Sequence, residues 1–166
     1  MNYIKLTPAD DRLITDLAAL ASAIWKEHYD PIIGAGQNDY MIAKFLSPSA
    51  IKEQLSDNVS YFLVCTDVGE QAGFIAIYPR EKELYLSKLY LHKSRRGQGI
   101  AREMMEFIKN EARKINAASV TLNVNKHNTL AIAVYEKLGF QRIRSEKTDI
   151  GSGWYMDDYV YEYKLQ

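Results

Sequence analysis

Apolar residues recur along this chain with two different periods, and the places where the period changes divide it into elements. Leu13, Leu17, Leu20, Ile24 and Trp25 return at three- and four-residue spacing and predict a helix running from Thr7 to about His28, with one buried stripe. Residues 2–6 alternate and predict a short first strand, and Thr7 followed by Pro8 predicts the helix N-cap. Residues 29–37 carry glycines and predict a loop too apolar to be a plain solvated linker. Helices are predicted over residues 38–46 and, after a Ser47-Pro48 cap, over 48–55. From Val59 the pattern turns extended. Strands are predicted at 61–64, 72–78 and 83–92, joined by turns at 67–70 and 79–82, as a meander.

The longest apolar row comes next. Ile100, Met104, Ile108, Ala112 and Ile115, with Ala101 and Met105 beside them, predict a helix that opens after Arg96 and packs on a sheet. Residues 118–124 read as a buried strand, and a helix of this length before it predicts a parallel pairing with the strand at 83–92. A further helix over 128–138 is closed by Gly139 as a left-handed cap. Strands at 140–145 and 154–165, joined by a turn-rich 148–153, complete the chain. The order of elements predicts an α/β fold with a mixed, mostly antiparallel sheet flanked by helices.

Composition narrows the function classes. A chain of 166 residues, 47% of them hydrophobic, predicts one domain over 1–166 with a sizeable core. Lys plus Arg and Asp plus Glu both total 21, so no global basic field exists to hold nucleic acid or an anionic membrane. The single cysteine, Cys65, lies in an apolar run and reads as a buried thiol, with no disulfide framework. No stretch approaches the ~20 apolar residues of a membrane span, and the first residues lack a signal-peptide pattern, so a soluble, cytoplasmic protein is expected. His92 and His127 stand apart from any Cys, Asp or Glu cluster of ligand spacing, so no metal site is expected. The 12 tyrosines and 2 tryptophans, without a basic surface, read as core and pocket walls rather than as base-stacking platforms.

Chemistry concentrates in residues 86–101, where a strand pattern runs through a basic glycine turn into the long helix. Gly97 and Gly99 let the backbone close on an anion, and the first N–H groups of the helix lack intrahelical acceptors. Lys93, Arg95 and Arg96 add local positive charge, and the expected ligand is a pyrophosphate. A Walker loop is excluded because no Gly-Lys followed by Ser or Thr is present, and a dinucleotide fingerprint because Arg102 stands where its third glycine belongs.

These residues resemble a GNAT N-acetyltransferase, whose acetyl-CoA loop has the form Arg/Gln-x-x-Gly-x-Gly/Ala, matched here by Arg96, Gly99 and Ala101. Residues 125–140 are similar to the family's second cofactor segment, with its asparagine, its helical tyrosine and a Leu-Gly-Phe ending. The resemblance implies a sheet splayed where the strands at Leu89 and Val120 part, with acetyl-CoA as acetyl donor. It implies that backbone groups of Leu89 and Leu91 bond the pantetheine arm and that N–H groups of Arg96, Gly97, Gln98, Gly99, Ile100 and Ala101 hold the pyrophosphate. Asn128 would reach the cofactor arm, and Tyr135 would act as general acid toward the leaving thiolate. Read without the motif, Tyr135 is a core tyrosine on an apolar helix face.

Direct transfer to an amine also needs a proton acceptor. Relatives such as the polyamine acetyltransferases carry acidic residues where this chain has Ser87-Lys88, which leaves Glu83, on the face of Tyr85 and Ser87 by alternation, as the substitute base, acting through water. The alternative for Glu83 is a solvated charge at a strand start. The resemblance, to a bacterial diamine or polyamine subgroup, places the acceptor pocket among Glu27, His28, Tyr29, Asp39, Tyr40, Asp157 and Asp158, carboxylates and aromatic faces suited to an organic cation. Against this stand Asp157 and Asp158 as exposed turn charges and His28 as a helix-end cap. The expected function is acetyl transfer from acetyl-CoA to a primary amine, a small amine or polyamine. Acetylation of a protein or peptide, and non-catalytic binding of an acyl-CoA, are the alternatives. The late strands leave room for a homodimer.

Overall fold

The computed structural model describes residues 1–166. Seven strands and five helices follow one another as β1 (Asn2–Lys5), α1 (Asp11–Ile33), α2 (Ala35–Phe45), α3 (Pro48–Ser56), β2 (Ser60–Cys65), β3 (Gln71–Arg80), β4 (Glu83–Leu91), α4 (Ile100–Lys114), β5 (Ser119–Asn125), α5 (Thr129–Lys137), β6 (Gln141–Gly151) and β7 (Trp154–Lys164), with a single 3₁₀ turn at Lys93–Arg95. The strands order as β1-β2-β3-β4-β5-β7-β6, mostly antiparallel, in an open mixed sheet of the predicted class. No helix is long and apolar enough to cross a membrane. The chain divides into two compact units, one of Met1–Tyr78 with Lys88–Met104, the other of Pro79–Ser87 with Met105–Gln166.

In the first unit, β1 pairs antiparallel with β2 and β2 with β3, with Lys5 opposite Phe62 and Ser60 opposite Ile77. Three sequence expectations change here. Thr7 does not cap α1: the Asp10 carboxylate accepts its N–H at 2.7 Å and its hydroxyl at 2.9 Å, so residues 7–10 fold as a turn and the helix opens after Asp10. The buried stripe is displaced by one position, to Ile14, Leu17, Ala18, Ala21, Ile24, Trp25 and Tyr29, leaving Leu13 and Leu20 only half-buried. The predicted loop at 29–37 is helix. α1 runs through Pro31, and only Gly34, at φ +86°, separates it from α2. Proline removes one hydrogen bond from the last turn, where little follows to be disrupted. Buried Asn38 on α2 fixes the junction by donating to the Trp25 carbonyl at 2.9 Å and to Asp30 Oδ1 at 2.7 Å. The Ser47 cap is as predicted, its hydroxyl accepting from Ala50 N at 3.2 Å.

In the second unit, β4 pairs parallel with β5 through Glu83–Leu86 against Ser119–Leu122, as the intervening helix requires. The ladder ends at Leu86 opposite Leu122: Val120 lies inside it, opposite Leu84, and Leu89 lies beyond it. β5 and β6 both pair antiparallel with β7. Ile115, counted in the sequence's helical row, lies beyond the end of α4 and is 49% exposed. Residues 148–151 are strand instead of turn, and only Ser152 and Gly153, both at positive φ, carry the chain from β6 into β7. α5 ends as predicted in a Schellman arrangement: Gly139 sits at φ +93°, its N–H reaching the Glu136 carbonyl at 3.1 Å while Phe140 N–H returns to the Tyr135 carbonyl at 3.1 Å.

Candidate active site

The turn after β4 is built by its own side chains. His92 Nδ1 accepts from Ser94 N at 3.3 Å, and the Gln98 amide donates to the Ser94 carbonyl at 3.0 Å. Arg96 turns back, with Nε and Nη2 at 3.3 and 3.2 Å from the Leu91 carbonyl. Gly97 and Gly99 follow at φ +74° and +80°, a region that glycine enters without strain, and a Cβ on either would meet no atom within 4 Å. The Gly99 carbonyl accepts Glu103 N at 3.2 Å, so α4 starts here and its first N–H groups face outward unpaired within the helix. An open glycine turn at a helix start fits the pyrophosphate of a coenzyme A.

Two details revise the sequence reading of this turn. The Arg96 N–H is engaged by the Lys93 carbonyl at 3.2 Å, so it is not one of the donors left for an anion. Lys93 pairs with Glu27 at 3.4 Å and Arg95 with Glu70, which neutralises two of the three local cations. Glu27 is thereby tied to the turn. Its neighbour on α1, Tyr29, meets Tyr90 of β4 with the hydroxyls 2.8 Å apart, inside an aromatic group with Trp25 and Phe74. His28 stacks edge-on against Tyr29 at 4.8 Å in mid-helix, not at a helix end. On α2, Tyr40 lies 5.7 Å from the Lys44 ammonium, and Asp39 faces Lys26 at 3.9 Å.

Lys88 is 8% exposed, with its ammonium 5.6 Å from the centre of the Tyr61 ring, whose hydroxyl donates to Gln54 at 2.6 Å. Burial pulls its pKa down to about 8. Position 88 therefore holds a desolvated amine.

In the second unit, buried Asn128 caps α5, its Oδ1 accepting Ala131 N at 3.3 Å. Tyr135 stands half-buried on the same helix, edge-on to Phe140 at 5.8 Å. The sheet of this unit presents a polar face of which sequence reading named only Asp158. Tyr85 donates its hydroxyl to Asn123 Oδ1 at 3.0 Å, and the Asn123 amide donates to Glu146 at 3.0 Å and to Asp158 at 3.5 Å. Asp158 lies in mid-strand, 4% exposed, and burial raises its pKa to about 6. Asp157, one residue earlier, is held below the usual carboxylate range by Lys126, 2.9 Å away. Neither is a turn charge. Glu83 opens β4 opposite Ser119. A signal for this face was present in Asn123, a polar residue set in the apolar run 118–124.

A parallel β4–α4–β5 crossover with a glycine turn at the helix start, followed by an asparagine-capped helix ending in Leu-Gly-Phe, defines a class of acyl-CoA-dependent acyltransferases. Residues 31–155 match the acetyltransferase (GNAT) domain, and the chain belongs to the GNAT acetyltransferase family, for which acetyl-CoA is the acetyl donor. Among relatives, the peptidyl-lysine N-acetyltransferase YjaB of Salmonella typhimurium is 31% identical over 125 residues, 70% of this chain and 79% of that one. The uncharacterized N-acetyltransferase YdgE of Bacillus subtilis is 28% identical over 89 residues, 51% of this chain and 57% of the relative. Among solved structures, PaiA N-acetyltransferase from Thermoplasma acidophilum in complex with coenzyme A has the same fold, with a TM-score of 0.77 over 99% of this chain and 100% of that one at 19% identity.

Proposed function

We propose that this protein transfers the acetyl group of acetyl-CoA to a primary amine of a small organic cation by direct attack, with Tyr135 as general acid. The observation that carries the small-amine reading is the carboxylate-bearing face of the second unit, where Asp158 and Glu146 converge on Asn123. Carboxylates in a partly dehydrated setting attract an organic cation more strongly than solvated ones do. Gly97 to Ala101 would hold the pyrophosphate, Leu89 and Leu91 the pantetheine arm through their backbone, and the Asn128 side chain would reach the cofactor arm. Glu27, Tyr29 and His28 would line the acceptor's approach in the first unit.

Tyr135 would hand its phenolic proton to the departing sulfur, since a thiolate leaves more readily when protonated as it departs. Tyr135→Phe should lower kcat by about 10- to 10⁴-fold with acetyl-CoA affinity nearly unchanged by calorimetry. Unaltered kcat would remove Tyr135 from this role.

A second reading, acetylation of a peptide lysine, is favoured by the 31% identity to YjaB. Thiol release from acetyl-CoA, measured with spermidine, aminoglycosides and lysine peptides side by side, separates the two. Release with peptides alone would replace the small-amine reading, and cofactor binding without release from any amine would leave an acyl-CoA-binding module.

A further inference from the structure

We infer that Asp158, positioned by Asn123 and Glu146, is the group that takes the proton from the attacking amine. This rests on the acetyl-transfer reading above and names the proton acceptor that Ser87-Lys88 leaves open. Asp158 pairs with Asn125, the last residue of β5, whereas Glu83 pairs with Ser119, the first. At about 3.3 Å per residue the two carboxylates sit at opposite ends of β5, roughly 20 Å apart along the strand. α5, with Tyr135, opens only four residues beyond Asn125, behind the Asn128 cap. In open α/β sheets the ligand end is the carboxyl end of the parallel strands, which is the end of Asp158.

The same face is prepared to receive a polar ligand. By alternation Thr121 and Asn123 point with Asn125, and through the β7 and β6 pairings they share their face with Asp158 and Glu146. Thr121 Oγ1 is buried on it without a hydrogen-bond partner. The helix contacts of this unit, Lys109 over Tyr163 and Glu136 with Tyr161, fall on the opposite face of β7. Asp158 touches its neighbours lightly: the Asn123 amide at 3.5 Å is its hydrogen bond. Around it, Glu146 is engaged by Arg144 at 2.9 Å and by Asn123, and Lys126 by Asp157. Tyr85 reaches it only through Asn123. Desolvation, with Asp157 and Glu146 nearby, gives Asp158 a pKa of about 6 despite the Asn123 bond and Lys126, closer to working pH than an ordinary carboxylate and a stronger base.

The amine arrives neutral, and its lone pair forms the N–C bond to the thioester carbonyl, which makes the N–H acidic. Asp158 takes that proton as the bond forms. The C–S bond breaks with its electron pair on sulfur, and the Tyr135 phenol supplies the proton there. Asp158 returns its proton through water to the Tyr135 phenolate, and both groups are restored.

The test is the pH dependence of kcat/KM with spermidine and acetyl-CoA on the full chain. Because the amine must itself be neutral, log(kcat/KM) should rise with slope 1 above about pH 6 and slope 2 below it. Asp158→Asn should lower kcat by about 10²- to 10⁴-fold, hold slope 1 throughout and keep acetyl-CoA affinity by calorimetry. Asp158→Glu should recover the break. A break that survives in Asp158→Asn, or disappears in Glu83→Gln instead, overturns the inference. Carbon-13 NMR of the Asp158 carboxyl group supplies a readout independent of turnover: it should titrate near pH 6 and shift on addition of spermidine. An ordinary midpoint near pH 4, or no response to spermidine, overturns it too. A wild-type enzyme that acetylates no amine, with Asp158 responding as expected, would instead count against acetyl transfer alone.

Discussion

Two buried titratable side chains, one in each unit, have their pKa values moved in opposite directions by the same cause. Asp158 is raised and Lys88 lowered, so burial pushes each toward neutrality. For Lys88 the folded state holds fewer protons than the unfolded chain between about pH 8 and 10.5, so stability rises with pH across that window and the cost of the buried ammonium is complete below it. Lys88→Met, similar in length and uncharged, should stabilise the protein at pH 7 by about 3 kcal/mol, the free energy of moving the lysine from 10.5 to about 8, and the gain should fade toward pH 10.5. Urea unfolding of both proteins at pH 7 and pH 10 measures this; a pH-independent difference would mean that the ammonium is not desolvated. Sequence alone identified Ser87-Lys88 as a departure from related strands but carried no sign of the lysine's burial, because burial of a charge is decided by tertiary neighbours such as Tyr61. The helix that carries Asn128 and Tyr135 was legible from its pattern and from Gly139 at its end, whereas roles for the two side chains came from the family resemblance alone.

At the scale of elements, β4 is held against β3 by a close backbone approach. A Cβ on Gly73 would fall on the Tyr90 carbonyl and lie 3.1 Å from its carbon and 3.2 Å from Leu91 Cα, backbone atoms that have no rotamer to escape into. Gly73→Ala should cost about 2–4 kcal/mol, which in a chain of this size lowers Tm by roughly 5–15 °C. A calorimetric scan within 2 °C of wild type, against the ~5 °C floor expected from that cost, would show that β4 moves aside. Periodicity found the strands, α4 and the parallel crossover because their buried faces repeat. It failed where local chemistry outweighs pattern. The Asp10 carboxylate displaces the Thr7 cap, Pro31 is accepted in a terminal turn, and residues 148–151 belong to an exposed strand whose polar composition reads as a loop.

Across the whole molecule, charges balance to a formal net of +0, so a highly anionic coenzyme is met by the geometry of one turn and not by a long-range field. Acetyl-CoA at 100 times its Kd should add about 2.7 kcal/mol to folding and raise Tm by roughly 5–10 °C. An unmoved Tm at saturating acetyl-CoA would contradict the cofactor assignment. β6, by contrast, ends the sheet as an 11-residue strand, exposed along most of its length. A bare strand edge is where unrelated chains add on and fibres begin. Arg142, Arg144, Glu146 and Lys147 punctuate this one. Arg142 and Lys147 lie over the Tyr159 and Tyr155 rings of β7, and Arg144 grips Glu146. A further strand arriving at this edge would have to strip water from that row of charges.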